Sequence, residues 1–180
     1  MMNLKHFSLF VLIIIGFAGF AQDKKSGPVI EGYGQVWAIE NPDFKTNTSQ
    51  EFKVAFDVKD GPESDTEINI NFDTVARFLN MHAQSGIPLS QIKVALIVHG
   101  SSSRNLLTDQ VYQSRYQVKN PNRELVEKLI SAGVEVILCG QSSKSRDLPK
   151  EDLVPGVKIA LSAMTASIQL QGQGYRLMKL

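Results

Sequence analysis

Three residues of the kinds that carry covalent or proton chemistry each stand directly behind an apolar run: His99 after KVALIV, Cys139 after VEVIL and Ser162 after VKIAL. Cys139 is the single cysteine of the 180-residue chain. A thiol is nucleophilic as its thiolate, a form favoured by a helix N-terminus and by nearby cations. A short helical turn is expected over 141–146, and Lys144 and Arg146 inside it supply the cations. The same position suits a quieter role, because cysteine is among the most buried residue types and an unassisted buried thiol is inert. The residues by themselves leave both readings open. His99 is placed either to take the thiol proton or to be held by backbone hydrogen bonds alone. Ser162 fits the N-cap of a following helix, and a hydrolase role for it is disfavoured because no G-x-S-x-G turn surrounds it. The small polar groups beside these three, Gly100, Ser101, Gly140, Gln141 and Ser142, together with Ser162, are the candidate ligand contacts.

The three residues meet only if their apolar runs are neighbouring parallel strands, so the intervening elements decide the matter. FKVAFDV at 52–58 alternates Val54, Phe56 and Val58 and reads as the first strand, ended by Gly61 and Pro62. A helix is expected from about Phe72, with Phe72, Val75, Ala76, Leu79 and Ala83 on one face, Asn71 as N-cap, and Gly86 and Pro88 as the stop. His82 on this helix reads as a packing or surface histidine, since no ligand partner stands at i+4. The unbroken apolar run 93–98 predicts a strand covered on both faces. After a weakly amphipathic segment at 105–116, Asn120 is the expected N-cap of a helix with Pro121 at its first position and a stripe of Leu125, Val126, Leu129 and Ile130. Strands are expected at 134–138 and 157–161, then a helix at 163–171 and a last strand at 175–180. Apolar strands alternating with helices define an α/β fold with a mainly parallel sheet and helices on both faces. In such a sheet ligands gather outside the carboxyl ends of the strands, which is where His99, Cys139 and Ser162 fall.

Composition narrows the class. Lys5, the apolar stretch 7–15 and the small-x-small triplet Gly19-Phe20-Ala21 have the order of an export signal, so the mature chain is expected to begin at Gln22, soluble in the periplasm or secreted. The whole apolar stretch from Phe7 to Phe20 is too short to span a membrane, and no membrane span is expected after cleavage. Beyond residue 21, 18 Lys+Arg face 18 Asp+Glu, a balance that gives nucleic-acid binding no support. One cysteine allows no intrachain disulfide, so stability must come from packing and from association with further copies. Residues 22–51, rich in Gly, Pro, Asn and Thr but carrying Tyr33, Val36, Trp37 and Ile39, read as an extended arm lying on an apolar surface. Residues 52–180 form one α/β domain. No metal site is expected from the few histidines and one cysteine, and no cofactor, because neither GxGxxG nor GxxxxGK[ST] opens a helix.

IKVALIVHG (92–100), NPN (120–122), VEVILCGQS (134–142) and PGVKIALSAMT through IQLQGQGY (155–175) resemble the DsrE/DsrF-like family, and the arm PVIEGYG (28–34) looks like that of exported members. The resemblance covers roughly 52–180. It implies a three-layer α/β/α sandwich with a five-stranded, mainly parallel sheet and homo-oligomers, trimers or hexamers. It also implies a role for Cys139, since cytoplasmic sulfur carriers of the family hold sulfur as a persulfide on a cysteine in the loop after the third strand. An exported chain would not meet their cytoplasmic partners, so neither donor nor acceptor is implied. The expected function is thus binding or relay of sulfane sulfur from a small sulfur-containing ligand on Cys139, with His99 in the same pocket. The alternative is a non-catalytic small-ligand-binding or oligomeric assembly protein in which Cys139 is structural.

Overall fold

The computed structural model describes residues 23–180, and the expected signal segment lies outside them. Five strands, β1 (Phe52–Val58), β2 (Ile92–Val98), β3 (Glu135–Cys139), β4 (Lys158–Ala160) and β5 (Arg176–Lys179), form a sheet of order β4-β3-β2-β1-β5. Every pairing in it is parallel, where the sequence predicts a mainly parallel sheet. The helices between them are α1 (Ile70–Gln84), α2 (Asp109–Tyr116), α3 (Arg123–Ser131), α4 (Gly140–Ser145) and α5 (Ala163–Gly172). From β1 to β4 the chain steps along the sheet in one direction, and then it crosses back to pair β5 with β1. A right-handed crossover that reverses direction changes face, which puts α5 on the side opposite α1 and α3.

The two faces are packed differently. Phe72, Val75 and Leu79 of α1 and Leu125, Val126 and Leu129 of α3 share the larger core with Phe56, Val58, Leu96, Val98 and Leu138 of the sheet. On the second face Ala55, Ala95, Ile97 and Ile137 meet Ala166 and Leu170 of α5, and the alanines let that helix sit close. The outward side of α5 is apolar too, with Met164 and Ile168 exposed beside Leu161. Gln169 and Gln171 are the polar exposed side chains of that helix.

Asparagines set the helix starts, though not the ones expected. Asn69, not Asn71, caps α1 and accepts from the Asn71 amide. Asn122, not Asn120, occupies the N-cap position of α3, and Pro121 stands before it, outside the helix. Asn120 instead donates to the carbonyls of Asn105 (3.0 Å) and Leu107 (2.6 Å) and accepts from the Asn122 amide. Asn122 in turn accepts from the Asn69 amide at 2.7 Å, so the NPN motif braces three loops where sequence position alone suggested a simple cap. His82 is a packing histidine, stacked near Phe52 and Phe78 with Nδ1 2.8 Å from the Phe78 carbonyl, and burial lowers its pKa.

The arm lies on the domain of its own chain. Fully buried Asn80 of α1 accepts from the amides of Val29 and Ile30 and donates to the carbonyls of Ile30, Tyr33 and Gly34. Lys128 adds a 2.9 Å bond to the Glu31 carbonyl. Ile30 is thereby sealed into the larger core, while Trp37 and Phe44 further along remain exposed.

Candidate functional site

Register brings the chemistry to one row. Val58 pairs with Val98, and Val98 with Leu138, so the next residues along β2 and β3, His99 and Cys139, emerge side by side at the carboxyl edge. Side chains alternate across a sheet. Asp57, two residues beyond Ala55, Cys139, two beyond Ile137, and Lys179, the register partner of Asp57, therefore all turn to the α5 side. A cleft of about 600 Å³ opens there, lined by Asp57, His99, Cys139, Gln141 and Ser162 and walled by Ala163, Met164, Ile168 and Leu177, with Lys179 also at its lining. A groove of about 650 Å³ between the arm and the end of α1 is lined by Trp37, Ile39, Met81 and His82 and lies away from Cys139.

Cys139 ends β3 and stands at the N-cap position of α4 without a break. Its side chain is only 6% exposed, less open than a reactive thiol on a loop would be, and the cleft is where it meets solvent. Burial pushes the thiol pKa up, but hydrogen bonds to the sulfur from the amides of Ser142, Ala163 and Gln141 and from the Ser142 side chain more than offset this, and the net shift is downward. The amides that lower the thiol pKa are the first ones of two helices, α4 from its own strand and α5 from the neighbouring one. Lys144 and Arg146, the cations the sequence offered for this task, are exposed, and what lowers the pKa against burial is hydrogen bonding.

Gly140 makes this convergence sterically feasible. A Cβ there would stand 2.5 Å from the Ala160 carbonyl oxygen and 3.1 Å from that of Leu161, so only glycine lets α4 begin so close to the exit of β4. Gln141 reinforces the approach by donating to the Leu161 carbonyl at 3.2 Å. Ser162 caps α5 by accepting from the Thr165 amide, which points the Ala163 amide at Cys139. His99 is fixed at both backbone ends, its amide donating to Val58 and its carbonyl accepting from the Ser102 hydroxyl.

Of the residues singled out in the sequence, His99, Cys139, Gln141 and Ser162 line the cleft, while Gly100, Ser101, Gly140 and Ser142 do not. Gly100 takes φ +60 and donates to the Ser142 hydroxyl at 3.1 Å, tying the turn after β2 to α4. Ser101 accepts from the Gly61 amide and Ser142 supports the sulfur from behind. Asp57 and Lys179 were missed. Strand alternation sets Asp57 on the face of Ala55, opposite Val54, Phe56 and Val58, and the register with β2 and β5 is what shows that face to be covered. Among the described residues no group of three or more His, Cys, Asp or Glu is arranged to hold a metal, and no helix is long and apolar enough to cross a membrane.

The solved structures similar in fold include two of low sequence identity. One is a protein of unknown function, MTH1491, from Methanobacterium thermoautotrophicum, with a TM-score of 0.55, 13% identity, and coverage of 72% of this chain and 99% of that one. The other is the ychN protein from E. coli, with a TM-score of 0.51, 16% identity and the same coverage. At such identities the likeness is one of fold alone. No curated protein matches the chain. The model of the DsrE/DsrF-like family matches residues 53–180, the whole of the domain that carries the cleft bar its first residue. With the five-stranded parallel sheet and its helices on both faces, that match makes the chain a member of the DsrE/DsrF-like family, a family of the sulfur-relay type.

Proposed function

We propose that this chain is an exported sulfur carrier that holds sulfane sulfur on Cys139 as a persulfide. The observation that carries the reading is the ring of amide donors and the Ser142 hydroxyl around the sulfur, which lowers the thiol pKa despite burial. A thiolate so held attacks the outer sulfur of a small persulfide, R–S–SH. The new Cys139 Sγ–S bond forms as the R–S bond to that sulfur breaks, R–S⁻ leaves, and the proton first lost by the thiol returns to it. The net exchange is Cys139–SH plus R–S–SH giving Cys139–S–SH plus R–SH, with no outside oxidant or reductant. The amides that hold the thiolate also suit the persulfide anion, since their N–H groups point at negative charge.

Incubation with polysulfide followed by mass spectrometry should add one sulfur to the peptide containing Cys139, and Cys139→Ser should stay unmodified. Alkylation of the folded protein at about pH 6.5 should outpace that of a free thiol of pKa about 8.5. Resistance to alkylation until the chain is denatured would leave Cys139 as packing and favour a binding or assembly role.

A second observation bears on partners. Met164 and Ile168 on the outer side of α5, with Leu161 just before the helix, expose an apolar strip beside the cleft, with exposures of 74%, 70% and 72%. We assign this strip to a further copy of the chain in a trimer or hexamer. Light scattering at micromolar concentration is expected to give an oligomer mass, and Ile168→Asp a monomer with unchanged circular dichroism. A monomeric parent protein would remove the assignment.

A further inference from the structure

His99 Nε2 lies 3.0 Å from Asp57 Oδ1, and both side chains line the cleft that holds Cys139. That carboxylate oxygen is buried and has no properly aligned hydrogen bond within the protein. A buried carboxylate oxygen left without a donor is costly, and natural sites that keep one usually have a use for it. The backbone that carries the ring is bound on both sides, His99 N–H to the Val58 carbonyl and its carbonyl to the Ser102 hydroxyl.

We propose that Asp57 is a positioning residue that acts on Cys139 through His99, so that carboxylate, imidazole and thiol form a proton-handling row across the ends of β1, β2 and β3. A carboxylate beside Nε2 favours the tautomer protonated there and leaves the Nδ1 lone pair as the base. The ring takes the thiol proton, the carboxylate offsets the positive charge it acquires, and the same proton passes to the departing R–S⁻. The other groups facing the row are few. Lys179 on β5 is the remaining ionisable side chain of the cleft lining, α4 contributes Gln141, and the capping Ser162 and the α5 residues Ala163, Met164, Ser167 and Ile168 complete it, none of which titrates. This inference rests on the carrier reading for its purpose, though not for its measurement.

The test compares the parent protein, Asp57→Asn, His99→Gln and the double variant, with the iodoacetamide rate of Cys139 measured in the folded protein between about pH 6 and pH 9. Asp57→Asn is expected to slow alkylation about tenfold near pH 6.5 and to leave the high-pH rate unchanged. In the His99→Gln background the same substitution should do nothing further. A merely structural aspartate would lower the rate at every pH or add its loss to that of His99→Gln, and an unchanged profile in Asp57→Asn would equally overturn the proposal. Asp57→Ser, smaller and able to admit water, serves as the readout should Asp57→Asn fail to fold. Polysulfide loading is followed in parallel. If the parent protein takes up no sulfur while the Asp57 effect on alkylation persists, the carrier reading fails and the row stands.

Discussion

Gly140→Ala is expected to lower stability by about 2 kcal/mol and to return Cys139 toward the reactivity of an ordinary buried thiol. The added Cβ would meet the Ala160 carbonyl at 2.5 Å, a backbone atom in a paired strand that cannot swing aside as a side chain would. Relief requires α4 to lift from β4, and with it go the Gln141 and Ser142 amides that hold the sulfur. Two measurements, denaturant unfolding and the alkylation rate near neutral pH, should therefore move together. Full stability with unaltered thiol reactivity would show that the close approach of α4 to β4 is not what sets the thiol. Loss of stability alone would separate the packing from the chemistry.

The second large effect lies far from the cleft. Asn80→Ala removes one side chain that serves five backbone groups of the arm, those of Val29, Ile30, Tyr33 and Gly34. Buried groups left without partners cost roughly 1–3 kcal/mol each, and because the arm can peel off to reach water the expected loss is on the order of 3 kcal/mol. Limited proteolysis should then cut before Glu51 in the variant under conditions that spare the parent protein, leaving the domain from β1 onward intact. Cysteine reactivity should hardly change, since no arm residue lines the cleft. An unchanged cleavage pattern would mean that the arm is held by its apolar residues, Ile30 above all, and not by Asn80.

Much of this architecture was legible because it rests on apolar periodicity, and the less legible parts rest on tertiary partners. Strand ends at His99, Cys139 and Ser162 follow from where apolar runs stop, and their meeting follows from parallel order. Asp57 escaped because an alternating strand assigns its polar positions to solvent, and only the register with β2 and β5 shows that this face is covered by α5. The choice between Asn69 and Asn71, or Asn120 and Asn122, is invisible locally, since either residue can cap and the winner is the one that its neighbours across the loops can bond. Asn80 reads as a polar helix position, and nothing short of the arm's path reveals it as buried. Lys144 and Arg146 misled for a related reason. Charge is visible in a sequence, whereas amides aimed at a sulfur are a property of how two helices start.

The pairing of the first strand with the fifth has a consequence for the order of events during synthesis. β1 finds β2 early, but its other edge stays bare until β5 has been made, and a bare parallel edge is a template for the wrong chain. The cleft shares this timing, because Leu177 and Lys179 come from β5 and the wall of Ala163, Met164 and Ile168 from the helix just before it. A partly made chain therefore carries its cysteine without the amide of α5 that helps to lower the thiol pKa, and that contribution arrives only when the last helix and strand are in place.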